Sequence, residues 1–176
     1  MKPHVFVIPL LALTALAGCF MSTEPRIAAG VLLADGPVAF CLPDEDPCQT
    51  GLPDGDGYLI QSEDEDEEDV RLRFEALTEV DGVVIYLSET ELSDEADRAW
   101  TYLVARSAGE TPDGLAQFDL MMPSCSDLPP EQGERFGIVH ADAYSCTVTD
   151  LEGFRAYLIE TYTDDFADPA WWADED

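Results

Sequence analysis

Asp54, Asp56 and Glu63 are spaced as the oxygen ligands of a calcium-binding loop are spaced. The run DGDGYL that begins at Asp54, with Glu63 further on, matches positions 3, 5, 6, 8 and 12 of an EF-hand loop, where carboxylates and a sharp glycine turn surround the ion. The first position fails, because Leu52 stands where an aspartate is needed and no helix is predicted before it. Calcium binding at this turn is therefore one interpretation, and an ordinary turn rich in proline and glycine is the other.

Hydrolytic chemistry has little support in the sequence. A Ser or Cys nucleophile needs a histidine base, and after the first few residues His140, at the end of a predicted strand, is the only histidine. No glycine-rich phosphate loop follows a predicted strand, so nucleotide binding has no motif. We expect a protein that is not an enzyme and has no cofactor unless calcium binds. A cell-wall hydrolase with paired carboxylates stays as an alternative, because 38 acidic residues offer too many pairs to test.

The first nineteen residues carry an export signal that ends at a cysteine. A basic start at Lys2 leads into an uncharged, mostly apolar run from Val5 to Gly18. At about 1.5 Å per residue this run is shorter than the roughly 30 Å hydrocarbon core of a bilayer, so it is a signal segment and not a transmembrane helix. We therefore leave residues 1–18 out of the fold.

The residues Leu16-Ala17-Gly18-Cys19 resemble the lipobox of bacterial lipoproteins. The resemblance implies cleavage before Cys19, a diacylglycerol on its sulfur, and anchoring in the cell envelope. In that family an Asp after the cysteine retains the protein at the inner membrane, so Phe20 implies the periplasmic face of the outer membrane. The alternative is an ordinary signal peptide in which Cys19 is incidental.

The other four cysteines form an even number, which in an exported chain favours two disulfides. They are Cys41, Cys48, Cys125 and Cys146. Four cysteines allow three pairings, and we predict the two local pairs, Cys41–Cys48 and Cys125–Cys146, because each encloses a loop rich in Pro and Asp. Zinc is the rival interpretation, but no C-x₂₋₄-C spacing supports it.

The chain is strongly acidic, with a formal net charge of −30. Such a surface repels nucleic acid and anionic lipid, so we expect no nucleic-acid partner and expect acyl chains to anchor the protein. The seven successive carboxylates of Glu63–Asp69 predict a solvated loop or a weak cation site. The general acidity is typical of a protein adapted to salty surroundings or of a surface for a basic partner. A possible partner is therefore a basic envelope protein, bound by an acidic inhibitor or receptor.

Alternating apolar residues predict a succession of strands. Residues 70–77 alternate Val70, Leu72 and Phe74 with charged residues, and residues 83–87 are apolar on both faces. Further strands are predicted at 99–106, 115–122, 136–140 and 143–148. Their connections are too short for crossover helices, which favours antiparallel pairing.

One helix is predicted at the end of the domain. Thr149 and Glu152 have the spacing of a capping box, and Leu151, Phe154 and Leu158 follow at helical spacing. The predicted fold class is therefore α+β, an antiparallel β-meander sheet with one C-terminal helix packed on it. We predict a signal peptide at 1–18, a tether at 19–26, a single β-rich domain at 27–163, and an acidic and aromatic tail at 164–176. The function we expect is that of a non-catalytic, lipid-anchored envelope lipoprotein.

Overall fold

The structure, a computed structural model, describes residues 18–43, 47–62, 68–93, 98–142 and 145–173. Within these residues the strands are β1 Cys19–Ser22, β2 Val38–Cys41, β3 Gln49–Asp54, β4 Gly57–Ile60, β5 Val70–Val80, β6 Val83–Ser93, β7 Arg98–Glu110, β8 Ala116–Met121, β9 Ile138–His140 and β10 Ser145–Val148. The helices are α1 Pro130–Arg135, α2 Leu151–Ala167 and α3 Pro169–Trp172.

Strands β2 to β8 close into a seven-stranded barrel. Each is antiparallel to the next along the chain, and β8 pairs with β2 to complete the ring. Because the number of strands is odd, β2 and β8 run in the same direction, and their pairing from Val38↔Ala116 to Cys41↔Asp119 is parallel. The predicted α+β meander with one packed helix is therefore wrong. The protein is mostly β, because the sheet curls until its first and last strands meet, and local sequence patterns do not report such a contact.

Three further strands extend the sheet beyond β7. β1 pairs antiparallel with β7 and parallel with β10, and β9 completes the edge as the antiparallel partner of β10. The segment predicted as a tether, residues 19–26, thus begins with a strand inside the sheet. Cys19 and Phe20 are buried there.

The β5–β6 hairpin turns through Asp81 and Gly82. Both residues have positive φ, 52° and 81°, and they connect the pair Val80↔Val83. Positive φ at both positions of a two-residue turn is the geometry that matches the right-handed twist of the two strands. Asp-Gly suits this turn because glycine has no Cβ and aspartate tolerates the left-handed region.

Two apolar clusters lie on opposite sides of the barrel wall. The inner cluster fills the barrel with inward-facing side chains of five strands: Val38, Phe40, Tyr58, Leu72, Phe74, Leu103, Ala105, Phe118 and Leu120. The outer cluster lies between the barrel and the segments packed on it, and its large members are Phe20, Ile27, Leu87, Tyr102, Phe136, Phe154, Tyr157, Leu158, Phe166 and Trp172. Within the apolar run 83–87, Ile85 and Leu87 are buried in the outer cluster and Tyr86 packs half-buried against the inner one, but Val83 is exposed.

The cap of helix α2 lies one residue later than predicted, so the helix begins at Leu151. Asp150 caps it by accepting from the backbone N–H of Glu152 at 3.2 Å, whereas the hydroxyl of Thr149 donates to the Gly137 carbonyl. The predicted Thr149 cap is wrong, because a short aspartate side chain one position later satisfies the same helix end. Phe154 and Leu158 are buried as their spacing predicts, but Ile159 is exposed.

Candidate functional site

Cys19, the predicted lipid attachment residue, begins strand β1 with a buried side chain. It is 1% exposed, and its Sγ lies 3.0 Å from the Sδ of Met122. Burial raises the pKa of the Cys19 thiol above its ordinary value, because the thiolate loses hydration there. A lipid on this sulfur needs the side chain to leave its position beside Met122.

The other four cysteines form the two predicted pairs. Cys41 and Cys48 lie at disulfide distance with Cα atoms 4.4 Å apart, and Cys125 and Cys146 likewise with Cα atoms 6.2 Å apart. The first pair joins the end of β2 to the start of β3. The second joins the loop after β8 to β10, which lies beside β1.

His140 contacts the second disulfide. Its Nε2 lies 2.8 Å from the Leu128 carbonyl oxygen, and its Nδ1 lies 3.6 Å from the Sγ of Cys146. One ring nitrogen therefore faces the loop before α1, at Leu128, and the other faces β10, at the disulfide-paired Cys146. This placement does not bring the histidine to a hydroxyl or thiol nucleophile.

Asp54 and Asp56, two of the three predicted calcium ligands, lie at the β3–β4 turn and pair with arginines. Asp54 forms an ion pair with Arg71 of β5. Asp56 accepts from the Gly30 N–H at 3.0 Å and lies 3.7 Å from Arg73, and these neighbours hold the pKa of the Asp56 carboxyl below its ordinary value. The third residue, Glu63, lies outside the described residues, so the calcium interpretation stays untested.

The sequence does not predict a buried polar cluster on the outer face of the barrel. Glu89 of β6 is 2% exposed and accepts from the backbone N–H groups of Arg26, at 2.6 Å, and Ile27, at 3.3 Å. Beside it, Tyr102 donates to the hydroxyl of Ser22 at 2.9 Å. Burial raises the pKa of both Glu89 and Tyr102, despite the hydrogen bonds that favour the Glu89 carboxylate. The one feature of the sequence that could indicate this cluster is the position of Glu89, a carboxylate two residues after the apolar run 83–87.

Two shallow hollows flank a partly buried ion pair on the barrel wall. Arg106 of β7 and Asp119 of β8 are register partners joined at 3.2 Å, and the guanidinium lies 4.7 Å from the ring centre of Trp172. One hollow, of about 330 Å³, lies between this pair and the Asp81 turn, and the other, of about 300 Å³, lies on the far side toward Pro43. Because Asp119 is paired with Arg106, neither hollow offers two unpaired carboxylates to a substrate.

Every arginine of the chain lies in the described residues and faces a carboxylate. The pairs are Arg26–Glu24, Arg71–Asp54, Arg73–Asp56, Arg98–Glu91, Arg106–Asp119, Arg135–Glu160 and Arg155–Glu75. The cationic groups therefore compensate carboxylates of the same molecule. With 38 acidic residues against eight basic ones, most of the carboxylates keep an uncompensated charge.

Among the described residues, no group of three or more His, Cys, Asp or Glu side chains is placed to hold a metal ion. No described helix has the length and hydropathy needed to cross a membrane. Comparison with protein-family models, curated proteins and solved structures finds no match to this chain.

Proposed function

We propose that the protein is a lipid-anchored, non-catalytic lipoprotein of the cell envelope, with Cys19 as the lipidated residue. The observation that carries this proposal is the lipobox Leu16-Ala17-Gly18-Cys19, and the other four cysteines lie in two pairs at disulfide distance. Disulfides fit an exported protein. In addition, β1 begins at Cys19, so the expected first residue of the processed chain is the first residue of the sheet.

Phe20 after the lipidated residue favours the periplasmic face of the outer membrane, by resemblance to bacterial lipoproteins. The lipid would have to supply the anchoring, because the acidic surface is repelled by anionic headgroups. A non-catalytic role is supported by the engagement of His140 with Leu128 and Cys146 and by the pairing of Asp119 with Arg106. No described feature favours the cell-wall hydrolase.

Mass spectrometry of the protein made in a bacterium that processes lipoproteins tests this proposal. The expected amino-terminal tryptic peptide runs from Cys19 to Arg26 and carries diacylglycerol, with or without a further acyl chain. Cys19→Ser is the matched control, since it keeps the signal segment and loses the sulfur, and it should remain unlipidated. A processed chain that begins elsewhere, or that carries an unmodified Cys19, contradicts the proposal.

A second candidate is binding of a basic envelope protein through the acidic surface. The arginine pairs favour it, because they neutralise few of the carboxylates and leave the surplus exposed to a partner. Lysozyme, a small basic lytic enzyme, is a suitable probe. Capture at low ionic strength that weakens steeply with added salt supports the proposal, and failure to capture lysozyme or any cationic envelope protein at low salt contradicts it.

A further inference from the structure

The amino-terminal segment lies docked against the barrel from Phe20 onward. The Phe20 side chain is fully buried in the outer cluster, with its ring centre 4.9 Å from that of Phe154 and 5.6 Å from that of Tyr157. Two residues later the Ser22 hydroxyl accepts from Tyr102. Burial of a phenylalanine is worth about 2 kcal/mol, so Phe20 alone opposes detachment of this segment.

A second attachment lies at the far end of the same segment. The Glu89 carboxylate holds the backbone N–H groups of Arg26 and Ile27, and the Ile27 side chain is 1% exposed. Detachment would break both hydrogen bonds and would expose a buried isoleucine, and the loss of buried apolar surface is costly. We call this contact between Glu89 and the backbone of residues 26–27 the Glu89 clasp.

Phe20 is attached to the barrel at points that do not involve Cys19. Both residues pair with β10, and the Phe20 carbonyl also accepts from the Thr101 hydroxyl of β7 at 3.2 Å. The Gly18 carbonyl accepts from the Cys125 N–H at 2.7 Å, and cleavage before Cys19 removes that bond. Successive side chains of a strand point to opposite faces, so the Cys19 side chain can move without withdrawing Phe20.

A diacylglycerol on Cys19 does not fit where the sulfur lies 3.0 Å from Met122. We propose that lipidation displaces Cys19 alone, while β1 from Phe20 onward and the Glu89 clasp stay docked. The barrel then rests directly on the lipid headgroups, with the end that carries the start of β1 facing the membrane and no flexible spacer between them. This inference rests on the proposed lipid attachment to Cys19, and it replaces the predicted tether by a docked segment.

Trypsin digestion of the lipidated protein on vesicles of phosphatidylethanolamine with a minor share of phosphatidylglycerol tests the inference. Arg26 is the first trypsin site after Cys19, and no lysine follows Lys2. If the segment is docked, the Arg26–Ile27 bond is cut at least about 100-fold more slowly than in a peptide of residues 19–30, and the barrel stays on the vesicles. Rapid cleavage there, with release of a domain that begins at Ile27, overturns the inference.

Variants at Glu89 supply the matched control. Glu89→Ala removes both carboxylate oxygens that accept from the segment, so trypsin should cut at Arg26 faster. Glu89→Gln keeps one accepting oxygen, so its cleavage rate should lie between those of Glu89→Ala and the wild type. If Glu89→Ala does not fold, amide hydrogen exchange of residues 20–27 in the wild-type lipidated protein decides: protection like that of β10 supports docking, and exchange at unprotected rates overturns it. Mass spectrometry separates the two proposals. Lipid on Cys19 with rapid cleavage overturns docking alone, and absence of lipid overturns both.

Discussion

Glu89 of β6 lies directly opposite Tyr102 of β7, and both side chains are buried where the amino-terminal segment crosses the barrel. The carboxylate accepts from the backbone of Arg26 and Ile27, and the phenol donates to Ser22. One register pair of the barrel thus contacts the amino-terminal segment at two places, at Ser22 and at residues 26–27.

Glu89→Gln should flatten the pH dependence of stability. Burial raises the pKa of Glu89 above its ordinary 4.5, so the folded state holds its proton more tightly than the unfolded state does. The free energy of unfolding therefore falls as pH rises from below 4.5 through the folded-state pKa. Urea unfolding of both proteins from pH 4 to 8 measures the difference, and parallel curves would contradict the prediction.

Thr90 and Thr101 are register partners on β6 and β7 whose replacement by Val should have opposite effects. Thr90 is 6% exposed and its hydroxyl has no hydrogen-bond partner among the described residues, whereas the Thr101 hydroxyl donates to the Phe20 carbonyl at 3.2 Å. We expect Thr90→Val to raise the free energy of unfolding by about 1 kcal/mol and Thr101→Val to lower it by about the same amount. If urea unfolding gives the same change in free energy for both variants, the hydrogen bond from Thr101 to the Phe20 carbonyl contributes nothing to stability.

Trp172→Ala should destabilise the barrel more than Trp171→Ala. Trp172 is 4% exposed, lies over the Arg106 guanidinium and donates from Nε1 to the Phe166 carbonyl at 3.2 Å, whereas Trp171 is only partly buried. Loss of a buried tryptophan typically costs about 3 to 5 kcal/mol. Urea unfolding followed by circular dichroism gives the free energy of unfolding of both variants. An equal decrease in the two would show that the contact of Trp172 with Arg106 adds no stability.

The two disulfides should differ in their contribution to stability. The pairs enclose segments with sequence separations of 7 and 21 residues. By loop entropy they contribute about 2.5 and about 3.4 kcal/mol, so Cys125→Ser with Cys146→Ser should lower the free energy of unfolding by about 1 kcal/mol more than Cys41→Ser with Cys48→Ser. Urea unfolding of the two double variants gives the comparison, and the reverse order would contradict the entropic argument.

Calcium should leave the thermal unfolding of the protein unchanged. Asp54 and Asp56 are both paired with arginines, and an ion would have to compete with Arg71 and Arg73 for them. The measurement is the melting temperature with and without millimolar calcium chloride, with Asp56→Ala as the control. A rise in the wild type that the control lacks would establish the site and contradict this expectation.

Local patterns predicted much of the secondary structure. Alternation places Leu72 and Phe74 on the buried face of β5, and the Asp81-Gly82 turn follows from the two apolar runs that flank it. The cysteine pairs followed from the short loops between their members. In each case the residues that interact are close in sequence, so the local order of residue types is enough to predict the structure.

The candidate site was less predictable. The lipobox identifies Cys19 through its chemistry, but nothing local indicates that Cys19 and Phe20 form a strand between β7 and β10. Glu89 reads as a surface carboxylate, since its burial depends on backbone groups more than sixty residues away. A short stretch adopts strand structure when neighbouring strands offer it hydrogen bonds, and the propensity of its own residues does not indicate those neighbours.

The sequence by itself determined the location of the lipobox and most of the strand pattern, and it favoured the local cysteine pairs, because these depend on residues near one another in the chain. Only the tertiary structure decided that β8 meets β2 to close the barrel, that β1 enters the sheet, and that Glu89 is buried against the backbone of Arg26. These contacts join residues far apart in the chain. Their formation depends on strand twist and on the burial of two apolar clusters together, which are properties of the whole fold.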